Sequence, residues 1–220
     1  PTQGSFSLVS VLGNTGYIGY PVVLLLPQLG LDMFGWALFY DALGTLLGSY
    51  GLGAVLASEF GGSPAGGQAH LWRNRSQQVL RNPIIWAFCF GLLLKLVALP
   101  GWLDQTLYRL AWVVVMLSLV LIGMRIQQLS SWQHLPPALV AVSIKMLILP
   151  LTVGLGLTLL GVEGATRLVL ILQAGMPCAF SNLVLAEAYD LDRDLSVTCV
   201  ALSSGILLLT LPIWLWQFSY

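Results

Sequence analysis

The charged residues of this chain are too few, and too unevenly placed, for it to close up in water. Nine Lys and Arg and nine Asp and Glu are spread over 220 residues, 8% of the chain, while 57% is hydrophobic. A soluble domain carries about 25% charged residues, because a closed globule must face water with polar groups. The apolar residues run in long blocks. They show neither the strict alternation of a half-buried strand nor the one-sided stripe of an amphipathic helix. Lipid is the solvent for which such blocks are built. A formal net charge of zero leaves no basic footprint, so nucleic acid is not an expected partner.

Crossing a hydrocarbon core of about 30 Å takes about 20 apolar residues. Seven segments qualify: Ser5–Leu26, Gly35–Ala57, Asn82–Ala98, Thr106–Ile126, Pro137–Leu160, Thr166–Ala188 and Leu195–Phe218. Leu99-Pro100-Gly101-Trp102 interrupts the third and fourth and makes them a helical hairpin. The longest polar stretch, 58–81, has Gly61-Gly62-Ser63-Pro64-Ala65-Gly66-Gly67 at its centre and reads as a linker between 1–57 and 82–220. Arginines concentrate on one set of loops (Arg73, Arg75, Arg81, Arg125, Arg193), whereas the alternate set holds Arg109 and Arg167. By the positive-inside rule the linker and the Tyr189–Asp194 loop are cytoplasmic and the C-terminus lies outside. Cys89, Cys178 and Cys199 sit in apolar stretches with no paired spacing, as small core residues do. The chain opens at Pro1, a few residues before an apolar block and without a signal-peptide pattern, and so reads as a fragment lacking its true beginning.

Two spans violate helix chemistry in the same way. The first contains Gly13-Asn14-Thr15-Gly16-Tyr17-Ile18-Gly19-Tyr20-Pro21, and the sixth Ala174-Gly175-Met176-Pro177-Cys178-Ala179-Phe180-Ser181-Asn182. Proline removes a backbone donor and glycine adds freedom. In lipid every freed backbone group needs another partner, so such breaks survive only where protein buries them or where they line a wet cavity. Leu31-Asp32 and Leu191-Asp192 follow the two breaks, 160 residues apart (191 − 31), and one further span follows each. Five spans separate the copies, so they cross in opposite directions. Paired, inverted, Gly/Pro-interrupted spans are the best sequence pointer to a transporter's binding site. Kinks that serve packing alone are the bland alternative.

The run Asn14-x-Gly16-x-x-Gly19-x-Pro21 resembles the broken fourth helix of the auxin efflux carrier family of permeases. Met176-Pro177 through Asn182-Leu183-Val184-Leu185-Ala186-Glu187-Ala188-Tyr189 is similar to that family's broken ninth helix, and Lys145 with Pro150 to its eighth. The resemblance, to an N-terminally truncated bacterial member, implies an all-α integral membrane protein with ten helices in two inverted repeats of five. Two of those helices are broken and cross. This chain would supply about seven of the ten: the end of the first repeat in 1–57, the cytoplasmic linker in 58–81, and the second repeat in 82–220 with its broken helix at 166–188. The implied function is secondary transport of a small organic anion across the cell membrane: auxin in plants, dicarboxylates such as malate or malonate in bacteria. No cofactor or metal is implied.

The residues are compatible with that function. Unwound backbone at Asn14–Pro21 and Gly175–Asn182 would present helix N-termini to an anion. The expected substrate contacts are Asn14, Thr15, Gly16, Gly19, Pro21, Gly175, Met176, Pro177, Ser181 and Asn182. Asn14 and Asn182 either donate to a carboxylate or cap the broken backbone. Lys145 lies roughly 12 Å into its span, where it either serves the site or snorkels to the interface. Lys95, near a span end, reads as snorkelling. Asp41, the only carboxylate well inside a span, carries a coupling charge or hydrogen-bonds within the bundle. A channel, a non-transporting fragment and a sodium-coupled symporter of related fold stay open, as does a homodimer. A membrane enzyme is not expected. Tyr40-Asp41 resembles half of an aspartyl protease site but lacks a second intramembrane aspartate. His70 and His134 fall in loops, and no HExxH motif occurs.

Overall fold

A computed structural model describes residues 1–61, 86, 90–91, 93–94, 99–127 and 134–218, and the regular structure among them is helical. Most of the expected linker and of the span Asn82–Ala98, with Cys89 and Lys95, lies outside the described residues. Helix α1 is Thr2–Val11 and α2 is Thr15–Leu25, whose first turn, Thr15–Gly19, is π-helical. Helix α3 runs continuously over residues 30–60, through π-helical stretches at Tyr40–Leu46 and Gly48–Gly53. Then come α4 (Gly101–Gln127), α5 (Leu135–Leu159, π-helical at Ile144–Ile148), α6 (Gly164–Ala174), α7 (Ser181–Ala188) and α8 (Arg193–Phe218).

Two of these helices, α5 and α8, are by themselves long and apolar enough to cross a bilayer. The expected spans Ser5–Leu26 and Thr166–Ala188 are each two short helices with a non-helical joint, and Gly35–Ala57 and Thr106–Ile126 lie within α3 and α4. The first break is displaced from the expected segment, and the second is shorter than expected. The first is at residues 12–14, and Thr15–Pro21 is already helical. Pro21 lies inside α2, in the first turn of its α-helical part, where its fixed φ suits the helix. The wider π-helical turn just before it accommodates the ring. The second break is 175–180, and Ser181 and Asn182 open α7 rather than belonging to the unwound segment.

Polarity is distributed as lipid demands. Leu159, Leu208 and Trp216 are 88%, 79% and 75% exposed, whereas Asn14, Thr15, Asp41, Ser49, Lys145, Gln173 and Asn182 are buried. An exterior this apolar is unlike that of a soluble domain, and the intramembrane polar groups are turned into the bundle interior. Helix α1 packs against α5, α8 and the end of α3, and α6 against α3, α5 and α8, so the two broken segments run through the middle of the bundle. Leu8, Val9 and Leu12 anchor the first, and Leu168, Val169, Ile171 and Leu172 the second.

Asp192 ties the start of α1 to the start of α8. Its Oδ1 accepts from the Leu195 N–H at 2.9 Å as an N-cap, its Oδ2 from Thr2 Oγ1 at 2.9 Å, and its carbonyl from Ser5 Oγ at 2.7 Å. Loss of such a cap costs about 1–2 kcal/mol. Asp192→Ala should therefore melt about 2–8 °C lower in detergent; an unchanged melting temperature would mean that water replaces the cap.

Candidate functional site

The two breaks lie directly against each other. Leu12 turns extended (φ −80°, ψ 120°), and Gly13 pairs antiparallel with Cys178. The Asn14 N–H donates to the Pro177 carbonyl at 2.7 Å, and the Ala179 N–H to the Leu12 carbonyl at 2.9 Å. A patch of β-bridge thus satisfies backbone groups freed by both breaks, which is how unwound chain persists away from water. Helix α8 completes the support: Ser203 Oγ accepts from the Cys178 N–H at 3.0 Å, and the Cys178 thiol donates to the Val9 carbonyl at 3.2 Å.

The asparagines divide their labour. Asn14 Oδ1 caps α2 by accepting from the Tyr17 N–H at 3.2 Å, and its Nδ2 is buried with no hydrogen-bond partner. One N–H of Asn182 Nδ2 donates to the Leu12 carbonyl at 3.4 Å, and its Oδ1 is left without a partner. The reverse amide orientation would set two oxygens against each other. Asn182 thus caps a carbonyl freed at the first break.

Gln173 was not among the expected site residues, yet it is fully buried and both its side-chain amide atoms lack partners. It lies opposite Gly19, where a Cβ would come within 2.3 Å of Gln173 Oε1. Gly13 has a like role: a Cβ there would stand 2.9 Å from both Cε and Nζ of Lys145. Gly16 is less constrained, since a Cβ would meet Asp41 Oδ2 at an ordinary 3.6 Å. At Gly175 a Cβ would come within 3.3 Å of Trp214 Nε1, an indole that donates to the Met146 carbonyl at 3.1 Å.

Lys145 does not snorkel. It is 1% exposed, and its ammonium donates at 2.5 Å to the carbonyl of Ala174, the last residue of α6. Asp41 of α3 is equally interior, accepting from Thr15 Oγ1 and, at 2.7 Å, from Tyr20 OH, both on α2. Thr15 Oγ1 also lies 2.8 Å from Thr45 Oγ1, whose hydroxyl can donate to it, and Ser49 Oγ lies 3.5 Å from Ser181 Oγ. Asp41, Thr45 and Ser49, four residues apart, thus form a polar edge of α3 that meets the first turns of both half-helices, α2 and α7. Of the expected residues, Asn14, Met176, Pro177, Asn182 and Lys145 meet at the crossing, Thr15, Ser181 and Asp41 line its α3 side, and Pro21 stands apart within α2.

The crossing therefore gathers one ammonium, two amides with unpaired donors and two half-helix N-termini. The Asn14, Gln173, Asn182 and Lys145 side chains are buried. The chain is 28% identical over 209 residues, 94% of its own length, to an uncharacterized transporter of Methanothermobacter thermautotrophicus, and spans 66% of that protein. It is 26% identical over 222 residues, 97% of its length, to an uncharacterized transporter of Methanocaldococcus jannaschii, 68% of which it spans. The family described as membrane transport protein matches residues 73–215, well over half of the chain. On that match this is a membrane protein that belongs to the membrane transport protein family, the family of the auxin efflux carriers.

Proposed function

We propose that the crossing is the substrate site of a secondary carrier for small organic anions of the carboxylate class. In this reading the chain lies multi-pass in the cell membrane and forms seven helices of a ten-helix inverted repeat. One observation carries the reading: unpaired, buried donors converge without a carboxylate to meet them. Asn14 Nδ2 and Gln173 Nε2 have no partner, and the Lys145 ammonium, with three N–H bonds, has one protein acceptor. Leaving a buried polar group unmet costs about 1–3 kcal/mol, so these groups favour a ligand rich in acceptors. A carboxylate also suits the positive dipole ends of α2 and α7. Asp41, hydrogen-bonded to α2 next to Asn14, carries the coupling charge.

The test is counterflow in liposomes holding the full-length protein, with labelled malonate outside and unlabelled malonate inside. A carrier accelerates labelled uptake when preloaded and saturates; a pore does neither. Asn14→Ala should raise the half-saturating concentration about 5- to 150-fold, corresponding to about 1–3 kcal/mol of lost pairing. Unsaturable flux, or an unaltered half-saturation in Asn14→Ala, counts against the proposal.

A further inference from the structure

We infer that the Lys145 ammonium is a tethered cation standing where a carrier of this architecture would otherwise bind a diffusible alkali-metal ion, so that the crossing needs no sodium. The inference rests on the carrier reading above for the architecture, and on the following geometry for the cation.

The last carbonyls of a helix lack intrahelical donors and carry a partial negative charge. In transporters with broken helices, such carbonyls and the adjoining unwound backbone coordinate sodium. Here α6 ends at Ala174, and the group on its terminal carbonyl is the Lys145 ammonium, at 2.5 Å. The same ammonium lies against the other break. Only the missing Cβ of Gly13, which would fall 2.9 Å from Nζ, lets it approach so closely. One positive charge thus bonds the carbonyl at the start of the second break and packs against the first at Gly13.

Its delivery is built into α5. Lys145 lies in the π-helical turn Ile144–Ile148, an uncommon conformation that recurs at functional sites. The side chain is buried, and no salt-bridge partner faces it among the described residues. A lysine held this deep without a carboxylate is expensive unless its charge is used, and a carbonyl-lined helix end uses it. An ammonium is a compact point charge, closer to an alkali ion than a planar guanidinium is. Asp41 belongs to a separate set of contacts, with Thr15 and Tyr20.

The experiment is thermal melting of the purified full-length protein at constant ionic strength. The wild type should melt at the same temperature in sodium chloride and in choline chloride. Lys145→Ala should melt about 4 °C or more lower. Methylammonium, small enough for the space vacated by the end of the lysine, should restore part of that loss, and choline should not. Two results overturn the inference: stabilisation of the wild type by sodium over choline, or a Lys145→Ala protein that responds to methylammonium no more than the wild type does. If Lys145→Ala fails to insert, the wild-type comparison still decides, because sodium dependence there means that the lysine has not replaced the ion. These readings need no substrate. A protein that melts as described but exchanges no carboxylate would sink the anion proposal separately.

Discussion

Gly13→Val should insert normally and lose substrate exchange by about a hundredfold or more, the equivalent of roughly 3 kcal/mol of overpacking at the crossing. The Cβ alone would come within 2.9 Å of the Lys145 ammonium and within 3.4 Å of the Met176 carbonyl. The lysine end is flexible and can move aside, but it then leaves the Ala174 carbonyl at the end of α6 without its cation. The carbonyl of Met176 belongs to the second break and is held by the bridge between Gly13 and Cys178. The damage therefore falls on the geometry of the site more than on the helices, which keep their packing elsewhere. Gly16→Ala is the control: its Cβ meets only ordinary contact at 3.6 Å, so exchange should stay within a few-fold of the wild type. Equal exchange by Gly13→Val and the wild type would show that the ammonium and the unwound joint are not part of the site.

Asp41→Asn should abolish accumulation against a gradient while leaving counterflow in place. The carboxylate accepts from Thr15 and Tyr20, and among the described residues no cation pairs with it. An asparagine keeps the size and one acceptor, so the contacts to α2 weaken without a cavity, but the side chain no longer takes up or gives up a proton. Gradient-driven uptake then has nothing to couple to, whereas exchange of one labelled anion for another needs no coupling. Asp41→Ala removes the acceptors altogether; Thr15 keeps Thr45 Oγ1 at 2.8 Å, so the Tyr20 hydroxyl is left unmet, a stability loss of about 1–3 kcal/mol. Accumulation by Asp41→Asn at the wild-type level would reduce Asp41 to a packing residue of the bundle.

The class of this molecule is legible from its charge content and block pattern, because lipid imposes a solvent condition that composition records directly. The two broken segments are legible for the same reason: proline and glycine are exceptional inside an apolar run, and 175–180 is indeed unwound. Their boundaries are less so. Pro21 marks a break in sequence but occupies a helical first turn in space, since proline is as well suited to starting a helix as to ending one. Lys145 shows the limit of depth arguments. Helical rise puts it some way into a span, and only the packing of α6 and Gly13 against it determines whether the stem turns inward or out to the interface. Gln173 carried a signal that sequence reading passed over, a lone amide in an apolar segment four residues before Pro177. Its weight comes from the unpaired state of both its polar atoms, which depends on what α2 places opposite it and on the open space at Gly19.

The account rests on the crossing being an anion site, and equilibrium binding tests that most directly. Labelled malonate should bind the purified full-length protein saturably, be displaced by other carboxylates and not by amines, and lose affinity by about 1–3 kcal/mol in each of Asn14→Ala and Gln173→Ala, or 5- to 150-fold per residue. Binding of undiminished affinity in both variants would place the substrate elsewhere in the protein and contradict the account.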